Sequence, residues 1–318
     1  MKTGELSPKA LSCWIAVAML GPVALTAASS AWPGVLVAGI LCGTLCMTAG
    51  QFTAKKVFDN KLICFAISLW CVYAAAEVAY QAALCFPGKA AGLTVPLVLL
   101  VLAAFGSSKG INSACAVGAT LLPLCGLIFA LVLASGVGNL TPGRLQLAAV
   151  PPGGELIFVF LLPMAALWLP RNPAEPIKWP IMSAPIFGVA ISLIVMGTLS
   201  LPVALTRRDA FYEFSKSLSL FSAVQRFEAV VSAAAVMSAY AMLSLLFSAV
   251  GQLGGRLLPG KGNVAIVIAA LAGIAVVCLG LWLPNEGIGI YTVGVWAPVA
   301  ILSAIFKEKD LKKEEIDT

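Results

Sequence analysis

The sequence predicts an all-α polytopic membrane protein of about ten transmembrane helices, arranged as a five-plus-five inverted repeat with discontinuous helices 1 and 6. Three observations carry this expectation. First, 60% of the 318 residues are hydrophobic and 11% charged, whereas a soluble domain is about 25% charged. Second, the chain divides into about ten apolar stretches, each near the ~20 residues a helix needs to cross a bilayer. Third, a proline interrupts the first and sixth stretches near mid-depth. Proline removes a backbone donor and clashes with the preceding turn. In a membrane the freed groups must find protein, water or a ligand.

The first stretch runs over about 10–28 and is broken at Gly21-Pro22, about 16 Å from its start at helical rise. Lys2 and Lys9, an apolar run and the small residues Ala27 to Ala31 resemble a secretory signal. The apolar run resumes beyond Trp32-Pro33-Gly34, so the segment reads as one arm of a helical hairpin. The second stretch covers about 34–53 and ends at the cluster Lys55 to Lys61. The third, about 62–85, ends before Pro87-Gly88-Lys89; the fourth and fifth, about 91–107 and 111–135, flank Lys109-Gly110. Thr141-Pro142-Gly143 precedes the sixth, about 152–169, which contains Pro163. The seventh, about 180–203, lies between Arg171 to Pro180 and Arg207 to Lys216. The eighth to tenth cover about 221–250, 262–283 and 287–306, parted by Gly254 to Gly262 and by Pro284-Asn285-Glu286. Residues 1–306 thus form a single transmembrane domain, with one repeat over about 10–135 and the second over about 152–306. Residues 307–318 form a charged cytoplasmic tail, helical or disordered.

Ten crossings with the N-terminus inside place fourteen of the 20 Lys and Arg on the inner side. The positive-inside rule therefore favours both termini in the cytoplasm. The net charge of +6 resides at segment ends and forms no nucleic-acid patch. No histidine is present, which removes the commonest metal ligand and proton-transfer group. The nine cysteines are scattered without a CxxC pair and read as small core hydrophobes. No nucleophile-plus-base set, phosphate loop or metal cluster is visible. The expectation is a protein that is no enzyme and carries no cofactor or metal.

Ionisable groups inside a membrane are costly and suggest function. Glu77 lies in the third stretch with Tyr73 and Gln81 four residues to either side, so the three share a helix face. The stripe reads either as a pathway wall and substrate partner or as a structural pair with a basic residue elsewhere. Glu155 opens the sixth stretch, where a carboxylate suits the positive helix end; it reads as a cap or as a ligand group. Arg226 and Glu228 open the eighth stretch and read as a gate or an interfacial anchor. The breaks, with Gly21, Pro22, Gly154 and Pro163, could receive the carboxylate and ammonium of an amino acid at half-helix ends. Proline and glycine are also common in membrane helices for no such reason. Thr26, Ser192, Ser232 and Ser238 could bond neighbouring helices or a solute.

Several stretches carry a family resemblance. Tyr212-Glu213-Phe214-Ser215-Lys216-Ser217-Leu218-Ser219-Leu220, followed by Gln225-Arg226-Phe227-Glu228-Ala229, resembles the loop and eighth-helix opening of the spore germination permeases. Lys109-Gly110-Ile111-Asn112, and Leu140-Thr141-Pro142 followed by Gly153-Gly154-Glu155, resemble that family's openings of the fifth and sixth helices. Asn112 stands where the family tends to carry Glu, Ala116 near an expected Arg, Glu77 where Arg is frequent, and Phe214 near the usual loop proline. These permeases are the B subunits of nutrient germinant receptors and are similar to the amino acid–polyamine–organocation transporters. The resemblance implies a pocket between helices 1, 3, 6 and 8 that takes a small nutrient, often an amino acid. It also implies a larger membrane subunit and a lipoprotein as partners, in the spore inner membrane. A proton-coupled amino acid permease of the cell membrane, with Glu77 carrying the proton, and a non-binding structural membrane subunit are the alternatives.

Overall fold

Every described element of the computed structural model is helical, over residues 6–51, 60–86, 91–145, 153–170, 178–207, 209–218 and 227–316. In chain order these are α1 (Pro8–Ala28), α2 (Trp32–Gln51), α3 (Lys61–Ala83), α4 (Ala91–Ser108) and α5 (Ile111–Gly138). A 3₁₀ turn at Pro142–Arg144 follows, then α6 (Gly154–Leu161), prolonged by a 3₁₀ segment over Leu162–Trp168. The rest is α7 (Lys178–Leu199), α8 (Leu201–Thr206), α9 (Ala210–Ser217), α10 (Phe227–Leu257), α11 (Gly262–Leu279) and α12 (Asn285–Ile316). Among the described residues, six helices are long and apolar enough to cross a membrane: α1, α3, α5, α7, α10 and α11. Four shorter apolar helical stretches accompany them: Trp32–Met47, Gly92–Ser108, Gly154–Trp168 and Glu286–Ile301. The chain is a helical membrane protein.

The local signals that bound these helices are conventional. Pro8 starts α1, where its missing N–H costs nothing. The Asn60 side chain accepts the Leu62 N–H at 3.0 Å and caps α3. Gly280 ends α11 at φ 62°, a left-handed conformation that glycine adopts without strain. Ser200 takes φ 79° between α7 and α8, so the seventh apolar stretch, expected to run to about 203, stops at Leu199. The expected tail is partly helical, because α12 continues to Ile316.

α1, α3 and α10 form the centre. α1 packs against α5, α7 and α10, and α3 against α4 and α10. α2 lies on α7, α4 and α11 lie on each other, and α12 lies on α6. Indole groups tie the centre together: Trp14 Nε1 donates to the Ala241 carbonyl at 3.0 Å, and Trp70 Nε1 to Thr292 Oγ1 at 3.2 Å. Trp70 also meets Trp296 edge-on at 5.2 Å. The periphery exposes apolar side chains such as Val101, Phe105, Ile268, Leu271 and Ile290, as suits faces solvated by lipid.

The two expected helix breaks differ in outcome. α1 is one continuous helix with Pro22 inside it; it is not discontinuous. The reason lies in α10. Ser238 Oγ accepts the Gly21 N–H at 2.5 Å and donates to the Val17 carbonyl at 2.5 Å, with the Ala18 carbonyl at 3.5 Å. A hydroxyl from a neighbouring helix thus enters the hydrogen-bond ladder next to the proline, between the Gly21 N–H and the Val17 carbonyl, with the Ala18 carbonyl that Pro22 leaves without a donor 3.5 Å away. The sixth segment does change: α6 ends at Leu161 and the backbone tightens into 3₁₀ through Pro163. Cys42 and Cys46 of α2 donate their thiols to the Ile157 and Phe160 carbonyls at 3.8 and 3.7 Å, supplying partners near the transition.

Candidate functional site

The polar stripe of α3 opens onto a cavity of about 540 Å³ at the end of the bundle where α1 and α3 terminate. α1 contributes Thr26 and Ser29, α3 contributes Glu77, Tyr80 and Gln81, and α6 contributes Glu155. The far wall is Arg207, just past α8, and the α11–α12 connection with Trp282 and Leu283. The helical repeat explains the α3 side: Glu77 and Gln81 are one turn apart, and Gln81 Nε2 donates to Glu77 Oε1 at 3.3 Å. This bond orients the Gln81 amide, leaving Oε1 as its remaining acceptor.

Two residues of the cavity lining each hold a buried oxygen without a partner. Thr26 and Gln81 are 3% and 6% exposed, and neither Thr26 Oγ1 nor Gln81 Oε1 makes a hydrogen bond. Leaving a buried polar atom unpaired costs about 1–3 kcal/mol. The Thr26 carbonyl, by contrast, accepts the Ser29 and Ser30 hydroxyls at 3.1 and 2.8 Å.

An aromatic rim covers the cavity. Tyr80 lies against Trp282 with ring centroids 4.7 Å apart and planes inclined by 34°. The Tyr73 hydroxyl accepts the Leu283 N–H at 3.0 Å, and its ring meets Tyr291 edge-on at 5.9 Å. Tyr73 therefore acts at the edge, holding the connection that forms the far wall.

Of the residues singled out in the sequence, the structure gathers Thr26, Glu77, Gln81 and Glu155 around the cavity, with Tyr73 beside it. Gly21, Pro22, Gly154 and Pro163 do not line it. They are buried in helix contacts. A Cβ on Gly21 would lie 2.7 Å from the Ala235 carbonyl and 2.9 Å from Ser238 Cβ, so Gly21 permits the close approach of α10. Gly154 is met closely by α12, where Gly289 permits the approach: a Cβ on Gly289 would lie 2.6 Å from Gly154 Cα. The residues of the two breaks are therefore packed among helices, and the cavity lies nearer one end of the bundle. Glu228 is half-buried in the first turn of α10 and away from the cavity lining. Arg226 lies outside the described residues.

The sequence reading missed Ser29, Tyr80, Arg207, Trp282 and Leu283. Tyr80 had a signal, lying one turn beyond Glu77 on α3. Arg207 had only its place at the end of an apolar stretch, which served equally as a topology marker. Among the described residues, no group of three or more Cys, Asp and Glu is placed to hold a metal ion. No protein-family model and no curated protein matches this chain.

Proposed function

We propose that this protein binds a small nutrient, of the amino acid class, in the cavity between α1, α3, α6 and the α11–α12 connection. The observation that carries the proposal is the convergence of four polar residues from three helices, Thr26, Glu77, Gln81 and Glu155, on the lining of one cavity. Cavities of about 300–1,000 Å³ with a few convergent polar groups are the usual form of small-molecule sites. The germinant-receptor role, with a larger membrane subunit and a lipoprotein as partners in the spore inner membrane, rests on the sequence resemblance alone.

Ten crossings in a five-plus-five inverted repeat fit this reading, and the packing supports it. Take α1 to α5 as the first five segments and α6, α7, α10, α11 and α12 as the second five. Shifting by five segments maps three packed pairs onto themselves: α3 with α10, α2 with α7, and α4 with α11. The same shift carries α1–α5 onto α6–α12, α1–α7 onto α6–α2, α3–α4 onto α10–α11 and α4–α10 onto α11–α3. Five crossings per repeat is an odd number, so the second repeat enters the membrane from the opposite side. The largest exception is α1–α10, whose counterpart is α6 with α3; α4–α5 is a smaller one, packed more closely than α11–α12. The α6–α3 pair touches through Phe158 and Trp70 at 6.3 Å, and both of its helices line the cavity.

The test is thermal stabilisation of the purified protein by a panel of amino acids, sugars and nucleosides. A ligand at 100 times its dissociation constant should stabilise the folded state by about 2.7 kcal/mol. Loss of the response in Glu77→Gln supports the cavity; a panel without a response removes the proposal. The placement of the Glu77 carboxylate inside a helical membrane protein favours one second reading, proton-coupled transport. Concentrative uptake into vesicles that Glu77→Gln abolishes would establish it, and binding without flux would leave the receptor reading.

A further inference from the structure

Most polar groups of the cavity wall are already engaged within the protein. Gln81 Nε2 donates to Glu77, and Glu77 and Glu155 each interact with further groups of the chain. The Ser29 hydroxyl donates to the Thr26 carbonyl at 3.1 Å, and the Thr206 hydroxyl to the Pro202 carbonyl at 2.9 Å. Thr26 and Gln81 are buried, so their side-chain oxygens belong to the packing behind the wall. Two polar groups of the lining remain, the Arg207 guanidinium and the Tyr80 hydroxyl. Neither holds a hydrogen bond or ion pair among the described residues. Arg207 is exposed and Tyr80 half-buried, so both are within reach of a solute. The remaining lining is apolar and includes Leu25, Leu84, Leu205 and Ile288, with Trp282 laid against Tyr80 at 4.7 Å.

We infer that the cavity selects amphipathic carboxylates: Arg207 receives the carboxylate at the mouth, with the Tyr80 hydroxyl as a second donor, and the leucines, Ile288 and Trp282 receive an apolar tail. This inference rests on the cavity being the solute site. It goes further in naming the recognised parts of the solute. The carboxylate and the tail are read; the amino group of an amino acid is not, because the acceptors of the wall are spent or buried. A guanidinium is always charged and presents paired N–H donors that match a carboxylate. An exposed ion pair adds little affinity, so Arg207 sets the sign and orientation of the solute, and burial of its tail supplies most of the binding. A cavity of about 540 Å³ has room for a tail well beyond a methyl group, and mostly apolar walls with a few placed polar groups suit such a solute.

The experiment is calorimetric titration of the full chain in nanodiscs, with empty nanodiscs as the blank and four matched probes. L-leucine has carboxylate, amine and tail; 4-methylpentanoate lacks the amine, L-leucinamide the free carboxylate, and L-alanine most of the tail. Leucine and 4-methylpentanoate should bind comparably. Leucinamide should bind about fivefold more weakly, and alanine about tenfold or more. Arg207→Gln should bring leucine and 4-methylpentanoate down to the level of leucinamide, and Arg207→Lys should keep part of the difference. Arg207 is exposed, so these changes leave the core intact. Trp282→Ala should weaken all four probes. Leucinamide binding as tightly as leucine, with Trp282→Ala still weakening both, would leave the cavity as the solute site and overturn the assignment of the carboxylate. Alanine binding as tightly as leucine would overturn the assignment of the tail. Absence of binding by every probe, or binding indifferent to both the Arg207 and the Trp282 changes, would overturn the inference together with the cavity as the solute site.

Discussion

Ser238 illustrates how one hydroxyl substitutes for a helix bond. Pro22 removes a donor from α1, and Ser238 Oγ lies between the Gly21 N–H and the Val17 carbonyl. The arrangement needs a glycine, since any Cβ at position 21 would press on the Ala235 carbonyl and on Ser238. Overpacking at such a contact costs about 1–3 kcal/mol. Gly21→Ala should therefore lower the unfolding temperature and reduce detergent stability by that amount. Ser238→Ala should cost less, about 1 kcal/mol, because a single hydrogen-bonding group is lost. Thermal unfolding of both variants beside the parent protein checks the order; an unchanged Gly21→Ala would show that α10 does not approach α1 this closely. Gly21 and Pro22 are legible in the sequence as an anomaly. Their partner is not, because Ser238 lies 217 residues from Gly21 and is one of many serines in apolar surroundings.

At the scale of elements, the α11–α12 connection is held to the bundle by the hydrogen bond from Leu283 N–H to the Tyr73 hydroxyl and by the Tyr80–Trp282 contact. Tyr73→Phe removes the first and keeps the ring against Tyr291. Amide exchange at Leu283 should accelerate by up to about tenfold, corresponding to a hydrogen bond of about 0.5–1.5 kcal/mol, with little change in global stability. Equal protection in the variant would mean that the connection is held by other contacts. The sixth segment makes the second case. Pro163 adds a missing donor and a ring to a stretch that passes from α into 3₁₀. Pro163→Ala restores the N–H and should let α6 extend, slowing exchange across Leu162–Trp168. Rapid exchange retained there would assign the 3₁₀ segment to packing around Trp168 rather than to the proline.

For the whole molecule, the packed pairs predict topology as well as symmetry. Under ten crossings, single cysteines placed at the N-terminus and at Gly260 should react with a membrane-impermeant reagent only from the cytoplasmic side. A cysteine at Trp282 should react from the opposite side, where the cavity opens. Labelling of Gly260 and Trp282 positions from one side would exclude α11 as a crossing and with it the five-plus-five arrangement. Legible in the sequence were the helical membrane class, the order of the apolar segments and the stripe of Tyr73, Glu77 and Gln81, although α10 runs on to Leu257, past the expected end near 250 and through Gly254. These depend on apolar length and on a helical repeat of 3.6 residues, which are properties of neighbouring residues. Tertiary packing set what the sequence did not show: Ser238 bridging Gly21 and Val17 in a continuous α1, the passage of α6 into 3₁₀, and the meeting of the polar groups with Arg207 and Trp282 near one end of the bundle. A hydrogen-bond partner or a cavity wall is set by which helices pack together, and side chains two hundred residues apart leave no periodic trace of that choice.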